Sequence, residues 1–246
     1  MEIYRHFAMV YDAFMGSTPY KEWAGYIDKA LHDQGVPAGG TVLDLACGTG
    51  TMALLMAQKG YDIIGVDASA DMLSEAYQKS SGIYSDILFL NQDMRYLDLY
   101  GTVDAAYATC DALNYLLTDE DFITVLKKIA TFLNPKGIFI FDLKTDCKYR
   151  QLGSNTYRDD NIQASYLWKN HYDPQTCINE YNVRFFIEGG GTFEEVHRQR
   201  AYSTEAVTAL AEQAGMQIIF TEDNYTTNPP GADSARITYG CRPNKH

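Results

Sequence analysis

Positive charge is what this sequence has least of. Its 246 residues carry 20 Lys and Arg against 32 Asp and Glu, a formal net charge of −12, and no basic cluster exceeds three in a short window. A nucleic-acid binder needs a local excess of Lys and Arg to displace counterions from phosphates, so the composition speaks against such a partner. Long apolar runs are missing too. No stretch approaches the ~18 residues a membrane span requires, and the opening MEIYRHFAMVYDAF is broken by polar residues where a signal peptide has its apolar segment. A cytoplasmic location and no membrane contact are therefore expected. Cysteine is sparse and scattered: Cys47, Cys110, Cys147, Cys177 and Cys241 form no CxxC pair. That pattern offers neither a zinc site nor a disulfide framework, so no metal is expected. The remainder, 46% hydrophobic and 21% charged, is ordinary for a globular chain with a sizeable core. Monomer and homodimer both remain open.

What is present is an alternation. From about residue 41 to 142, short apolar runs alternate with longer helix-like stretches: TVLDLA is followed by GTMALLMAQKG and DIIGVD by ADMLSEAYQKS, DILFLN leads through a polar loop to VDAAYAT, and EDFITVLKKIATFLN precedes KGIFIFDL. This is the pattern of βαβ units and a parallel sheet. Ser69 and Thr118 stand where helix caps belong. After Leu143 the rhythm changes to QASYLWKNHY, INEYNVRFFIE and TFEEVHRQRAY, separated by DP and GGG turns, which reads as an antiparallel meander. Helical spacing returns in STEAVTALAEQAG, and two strands close the chain. The expected organisation is an N-terminal helical segment over 1–40, an α/β core over 41–146 and 203–246, and a β-rich insertion over 147–202.

The first strand runs into Gly48-Thr-Gly50-Thr-Met-Ala53, which satisfies the dinucleotide fingerprint in its loose form. Glycines there let the chain turn sharply and let a ligand approach the backbone. Asp44, four residues before Gly48, would repel a pyrophosphate and attract a positively charged group, or simply cap the loop. Asp67, ending the second strand 19 residues after Gly48, suits two adjacent ribose hydroxyls. Asp93 at the third strand end could accept from an adenine amino group, with Met94 against the ring. Ribose, adenine and a cationic amino-acid end describe S-adenosylmethionine better than a nicotinamide dinucleotide.

With LDLACGTG, GVDAS and NQDM at successive strand ends, the chain resembles the class I S-adenosylmethionine-dependent methyltransferases. The resemblance implies a Rossmann-like seven-stranded sheet, six strands parallel and the last antiparallel, with a β-rich cap. It implies S-adenosylmethionine as cofactor and S-adenosylhomocysteine as product. The family's motif residues map onto Asp44, Ala46, Gly48, Gly50, Asp67 and Asp93, with Cys47, Ala68, Gln92 and Met94 beside them. The fourth strand end, ATCDALNYLL, would face the reactive methyl, bringing Cys110 near the cofactor, Asn114 and Tyr115 to the substrate, and Asp111 into position as a base or as a helix cap. The N-terminal helix would fold over the cofactor as a lid, with Tyr4 or Tyr11 on its carboxylate. In related small-molecule methyltransferases the insertion caps the substrate, which makes His197 a second acid–base candidate and Arg200 an anchor for an anionic substrate. The expected reaction is methyl transfer to nitrogen or oxygen of a small molecule. An RNA methyltransferase, a dinucleotide-dependent oxidoreductase and a non-catalytic cofactor-binding protein are the alternatives.

Overall fold

The computed structural model describes residues 8–84, 86–160, 164–187 and 191–244. Two sheets organise it. The larger has seven strands: β1 (Thr41–Leu45), β2 (Asp62–Asp67), β3 (Leu88–Asn91), β4 (Val103–Ala108), β5 (Leu133–Lys144), β10 (Met216–Asp223) and β11 (Arg236–Pro243), in the spatial order β10-β11-β5-β4-β1-β2-β3. Strands β1 to β5 pair in parallel, and β11 runs antiparallel between β5 and β10. The last strand is thus the reversed one, inserted inside the sheet rather than added at its edge.

Helices cover both faces because the strands are apolar on both. On one side α2 (Tyr20–Asp33), α3 (Thr51–Gln58) and α4 (Ala70–Ser80) supply Ile27, Leu31, Met52, Met56, Leu73 and Ala76 to a layer that includes Val42, Tyr107 and Ile140. On the other, α5 (Asp119–Phe132) and α7 (Thr204–Gln213) bring Phe122, Val125, Leu126, Val207 and Leu210 against Leu43, Leu45, Phe139 and Phe141. Helix starts follow sequence chemistry: the hydroxyls of Ser69, Thr118 and Ser203 accept from Met72, Asp121 and Ala206 amides, each satisfying a first-turn donor.

Between α6 (Asp146–Leu152) and α7 lies the second sheet, an antiparallel meander of β6 (Thr156–Asp160), β7 (Ala164–Asp173), β8 (Ile178–Ile187) and β9 (Gly191–Arg200). The expected GGG turn falls largely on residues outside those described. On β9 the alternation is clean. Glu195, His197 and Gln199 are buried, while Glu194, Val196 and Arg198 are exposed. The inner face carries polar side chains into the gap above the large sheet. In front of this gap sits α1 (Ala8–Phe14), whose Phe14 ring meets Tyr166 of the cap at 4.6 Å.

Candidate functional site

At the junction of β1, β2 and β4 the strand order reverses, and in open α/β sheets that crevice is where ligands bind. Ala46, Gly48 and Gly50 all hold positive φ (61°, 53° and 75°), so the loop is wound tightly over the strand end. A Cβ on Gly50 would stand 3.0 Å from the Ala76 Cβ, whereas one on Gly48 would meet nothing within 4 Å. Gly50 is therefore required by the packing of α4, and Gly48 borders open space. Cys47 is buried, its Sγ 3.9 Å from the Gly48 carbonyl, and acts as packing.

Asp44 points into the helical layer beside Tyr107, 1% exposed, and neither carboxylate oxygen has a hydrogen-bond partner of good geometry. Burial pushes its carboxyl up to about 8, with the Tyr107 hydroxyl and the Ala53 amide opposing the shift and Asp67 adding to it. A buried acid with no partner is costly, and a positive ligand group would relieve it. Asp67 is half-buried at the β2 end, where its Oδ2 accepts from the Gly48 amide and its Oδ1 from the Ser69 amide, each at 2.8 Å. Those bonds fix the carboxylate against the loop and leave lone pairs for further donors. Ala68 beside it is exposed.

The β3 end is more committed than its sequence suggests. Asp93 caps a short 3-10 turn containing Met94, and its carboxylate is gripped by Arg95, whose Nη2 lies 2.6 Å from Oδ2. Hydrogen bonds from Arg95 hold its carboxyl below the usual range, so any adenine contact must share Asp93 with Arg95. Gln92 is a correction. Its amide donates to the Asp98 carbonyl at 3.0 Å and accepts from the Asp98 amide at 2.9 Å, closing its own loop rather than offering a ligand contact.

At the β4 end, Cys110 and Asp111 adopt consecutive left-handed conformations (φ 59° and 55°), a strained turn pinned by charge. The Asp111 amide donates to Asp142 Oδ2 at 3.0 Å. Its carboxylate meets Lys144 Nζ at 3.0 Å, Arg236 Nη2 at 2.9 Å and Gln199 Nε2 at 2.6 Å. Asp142, fully buried, also pairs with Arg236 and accepts from the Tyr225 hydroxyl. Burial alone would raise the Asp111 carboxyl, but Lys144 and Arg236 bring it below the ordinary value. A carboxylate so held has neither the basicity nor the free oxygen of a general base, and Asp111 is corrected to a structural anchor. Asn114 is corrected likewise: its amide donates to the carbonyls of Lys144 and Arg200 and accepts from the Lys144 amide, which spends the whole side chain on backbone. Cys110 stays at the edge, its Sγ 3.8 Å from the Tyr20 hydroxyl, and burial pushes its thiol up to about 11.

Arg200 faces away from His197 and pairs with Asp119 at 2.9 Å and the Leu117 carbonyl at 3.2 Å. As an anchor for an anionic substrate it is a correction, since odd and even positions of β9 point to opposite faces. His197 points inward, 1% exposed, with Nδ1 3.0 Å from the Tyr115 hydroxyl and Nε2 3.3 Å from Glu195 Oε2. Tyr11, on α1, is held well above the ordinary phenol range by burial, with Cys110 and Tyr20 adjacent; Tyr4 lies outside the described residues. Sequence reading missed the contact that seats this helix. Asp12 accepts from Thr49 of the glycine loop at 2.7 Å and pairs with Lys79 at 2.6 Å. It also missed Asp142, Lys144 and Arg236, although two charges ending an apolar strand in FDLK were a visible signal. Among the described residues no cluster of metal-ligating side chains occurs, and no helix is long and apolar enough to cross a membrane.

A family model described as a methyltransferase domain matches residues 42–137. A chain of Bacillus subtilis (strain 168) bearing the name "Putative methyltransferase YqeM" is 35% identical over 248 residues, spanning 99% of this chain and 98% of that one. The crystal structure of a S-adenosylmethionine-dependent methyltransferase from Clostridium acetobutylicum ATCC 824 superposes with a TM-score of 0.88 at 27% identity, covering 98% of this chain and 99% of the other. A sugar N-methyltransferase from Streptoalloteichus sp ATCC 53650 shares the fold at a TM-score of 0.77 and 18% identity, over 95% of this chain and 93% of its own.

Proposed function

This chain belongs to the class I S-adenosylmethionine-dependent methyltransferases, and from that premise we propose that it methylates a nitrogen or oxygen of a small molecule held between the large sheet and the cap. The observation that carries this reading is the roof. Gln199 of the cap bonds Asp111 of the core at 2.6 Å, and His197 of the cap bonds Tyr115 at 3.0 Å. The acceptor space is thereby bounded on two sides by folded structure, which suits a compact ligand and not a polyanion tracking along a basic groove. Facing the gap from the cap are His197 and Gln199, and beside them the Tyr115 and Tyr181 hydroxyls meet at 2.8 Å. The likeness to the sugar N-methyltransferase makes an amine the first acceptor to try.

The residues present fit the cofactor. Asp44, buried without a partner, would meet the α-ammonium group through the loop, Asp67 would take the ribose hydroxyls, and the open space over Gly48 admits the chain between them. When bound, S-adenosylmethionine supplies a methyl group on a sulfonium, already activated toward attack. The protein's part is to bind, align and exclude water, and alignment supplies much of the acceleration. A group that takes the acceptor's proton matters where the nucleophile is protonated at working pH, and His197 is the acid–base candidate left after Asp111. Labelled-methyl transfer, run against a panel of small amines and hydroxy compounds beside total RNA, tests the proposal. Label in a small amine or alcohol is the expected result; label in RNA alone overturns it.

A further inference from the structure

The carboxylate of Asp93 is filled by one neighbour. Its Oδ1 accepts from the Arg95 amide at 2.9 Å and from Arg95 Nε at 3.0 Å. Its Oδ2 accepts from the same Nε at 3.2 Å and from Nη2 at 2.6 Å. An ionised carboxylate has about four lone-pair sites on its two oxygens, and these four contacts take one each. Arg95 is itself held from a second direction. Its Nη1 lies 3.5 Å from Asp121 Oδ2 in the first turn of α5, and its guanidinium carbon stands 5.9 Å from the centre of the Tyr96 ring.

With the ribose on Asp67, as proposed above, the base of the cofactor would extend toward β3, because Asp67 pairs with Asn91 in that neighbouring strand. The polar side chains at that strand end are Asn91, Gln92 and Asp93. Asn91 donates to the Asp67 carbonyl at 3.0 Å, and Gln92 is turned to the Asp98 backbone through both its nitrogen and its oxygen. Among these three only Asp93 carries a charge that could select an amino group, and Arg95 competes for it. The contest is unequal. Arg95 brings a full positive charge in a planar fork that matches the carboxylate, where a purine amine brings a single neutral N–H. Arg95 is also two residues away at all times, whereas the amine arrives from solution.

We infer that Arg95 withholds Asp93 from the cofactor's base, so that this chain holds the nucleoside without reading the amino group at the purine 6-position. Arg95 is then a specificity-determining residue that acts by occupying another. Removing its guanidinium would strip both donors from Oδ2 and leave Oδ1 with the backbone amide alone, which opens an acceptor for the amino group. That backbone amide bond also caps the 3-10 turn from Met94 to Tyr96, so the turn keeps its anchor.

Calorimetric titration reads the effect without turnover. The ligands are S-adenosylhomocysteine and its analogue with unsubstituted purine as the base, hydrogen replacing the 6-amino group. The native chain should bind the two within about threefold of each other. Arg95→Leu should prefer S-adenosylhomocysteine at least about tenfold, the ratio that one hydrogen bond to a charged acceptor gives. Adding Asp93→Ala to Arg95→Leu should abolish that preference. A preference of about tenfold or more in the native chain overturns the inference, and that comparison needs no variant to fold. An Arg95→Leu chain that binds both ligands alike overturns it too. A native chain that binds neither ligand sinks the cofactor seating and the inference together, an outcome distinct from selective binding of S-adenosylhomocysteine.

Discussion

Replacing Arg236 with leucine removes one positive charge from between two buried carboxylates. In the native chain the guanidinium pairs with Asp142 and with Asp111 at 2.9 Å, and lies 5.1 Å from the Trp23 ring centroid. Breaking a buried pair by deleting one partner costs about 3–5 kcal/mol, because the other charge is left uncompensated. The lower end applies here. Asp142 keeps the Tyr225 hydroxyl and the Asp111 amide, and Asp111 keeps Lys144 and Gln199. A loss of about 3 kcal/mol in a domain of this size lowers Tm by roughly 6–12 °C. The pH dependence has a sign. The Asp111 carboxyl is below its ordinary value in the folded chain, so its stabilising contribution is present above about pH 4 and is lost as pH falls further. Arg236→Leu gives up part of that contribution, so the gap from wild type should be widest near neutrality and should narrow below about pH 4. Thermal unfolding followed by circular dichroism across that range measures both. A variant melting within about 2 °C of wild type at every pH would refute the idea that this cluster holds the β4 turn by charge.

Three other changes act on the glycine loop, its buried acid and the helix in front of it. Asp44, whose carboxyl is raised to about 8, contributes stability that is present below about pH 4 and lost as pH rises through its folded value; Asp44→Asn should flatten that decline in the cofactor-free chain, and an unchanged profile would count against the burial argument. Gly50→Ala places a Cβ 3.0 Å from Ala76 at a φ of 75°; a loss of about 1–3 kcal/mol in chemical unfolding is expected, and a neutral result would show that the loop and α4 can part freely. Asp12→Ala unlatches α1 from Thr49 and Lys79; stopped-flow release of S-adenosylhomocysteine should quicken while Tm hardly moves, since an exposed pair contributes about 0–1 kcal/mol, and an unchanged release rate would mean the helix is no lid.

The sheet was legible because hydrophobic period and local chemistry agreed, with helices opening on caps at Ser69 and Thr118. The glycine loop was legible for the same reason: Gly48, Gly50 and Asp67 act through backbone geometry that is close in sequence or one strand away. The substrate side was not. Arg200 is three residues from His197 in sequence yet on the opposite face, while Arg236 reaches the site only because β11 registers it against Lys144 with Asp142 two residues along. Asn114 and Gln92 looked like ligand contacts, but Gln92 bonds the Asp98 backbone and Asn114 bonds the backbone of Lys144 and Arg200, partners that only the folded strands bring to it. Glu195 was hidden in an acidic pair, and only strand alternation separates it from exposed Glu194.

On the proposed function, the loop from Asp44 to Gly50 and the β2-end carboxylate of Asp67 would cradle an amino acid and a nucleoside. Calorimetric titration with S-adenosylhomocysteine, with NADH as the control and Asp67→Ala in parallel, tests it most directly. The expected result is saturable binding of S-adenosylhomocysteine, none of NADH, and at least about a tenfold weaker affinity in Asp67→Ala, as the loss of a charged hydrogen-bond acceptor requires. Binding of NADH alone, or an affinity untouched by Asp67→Ala, would contradict it.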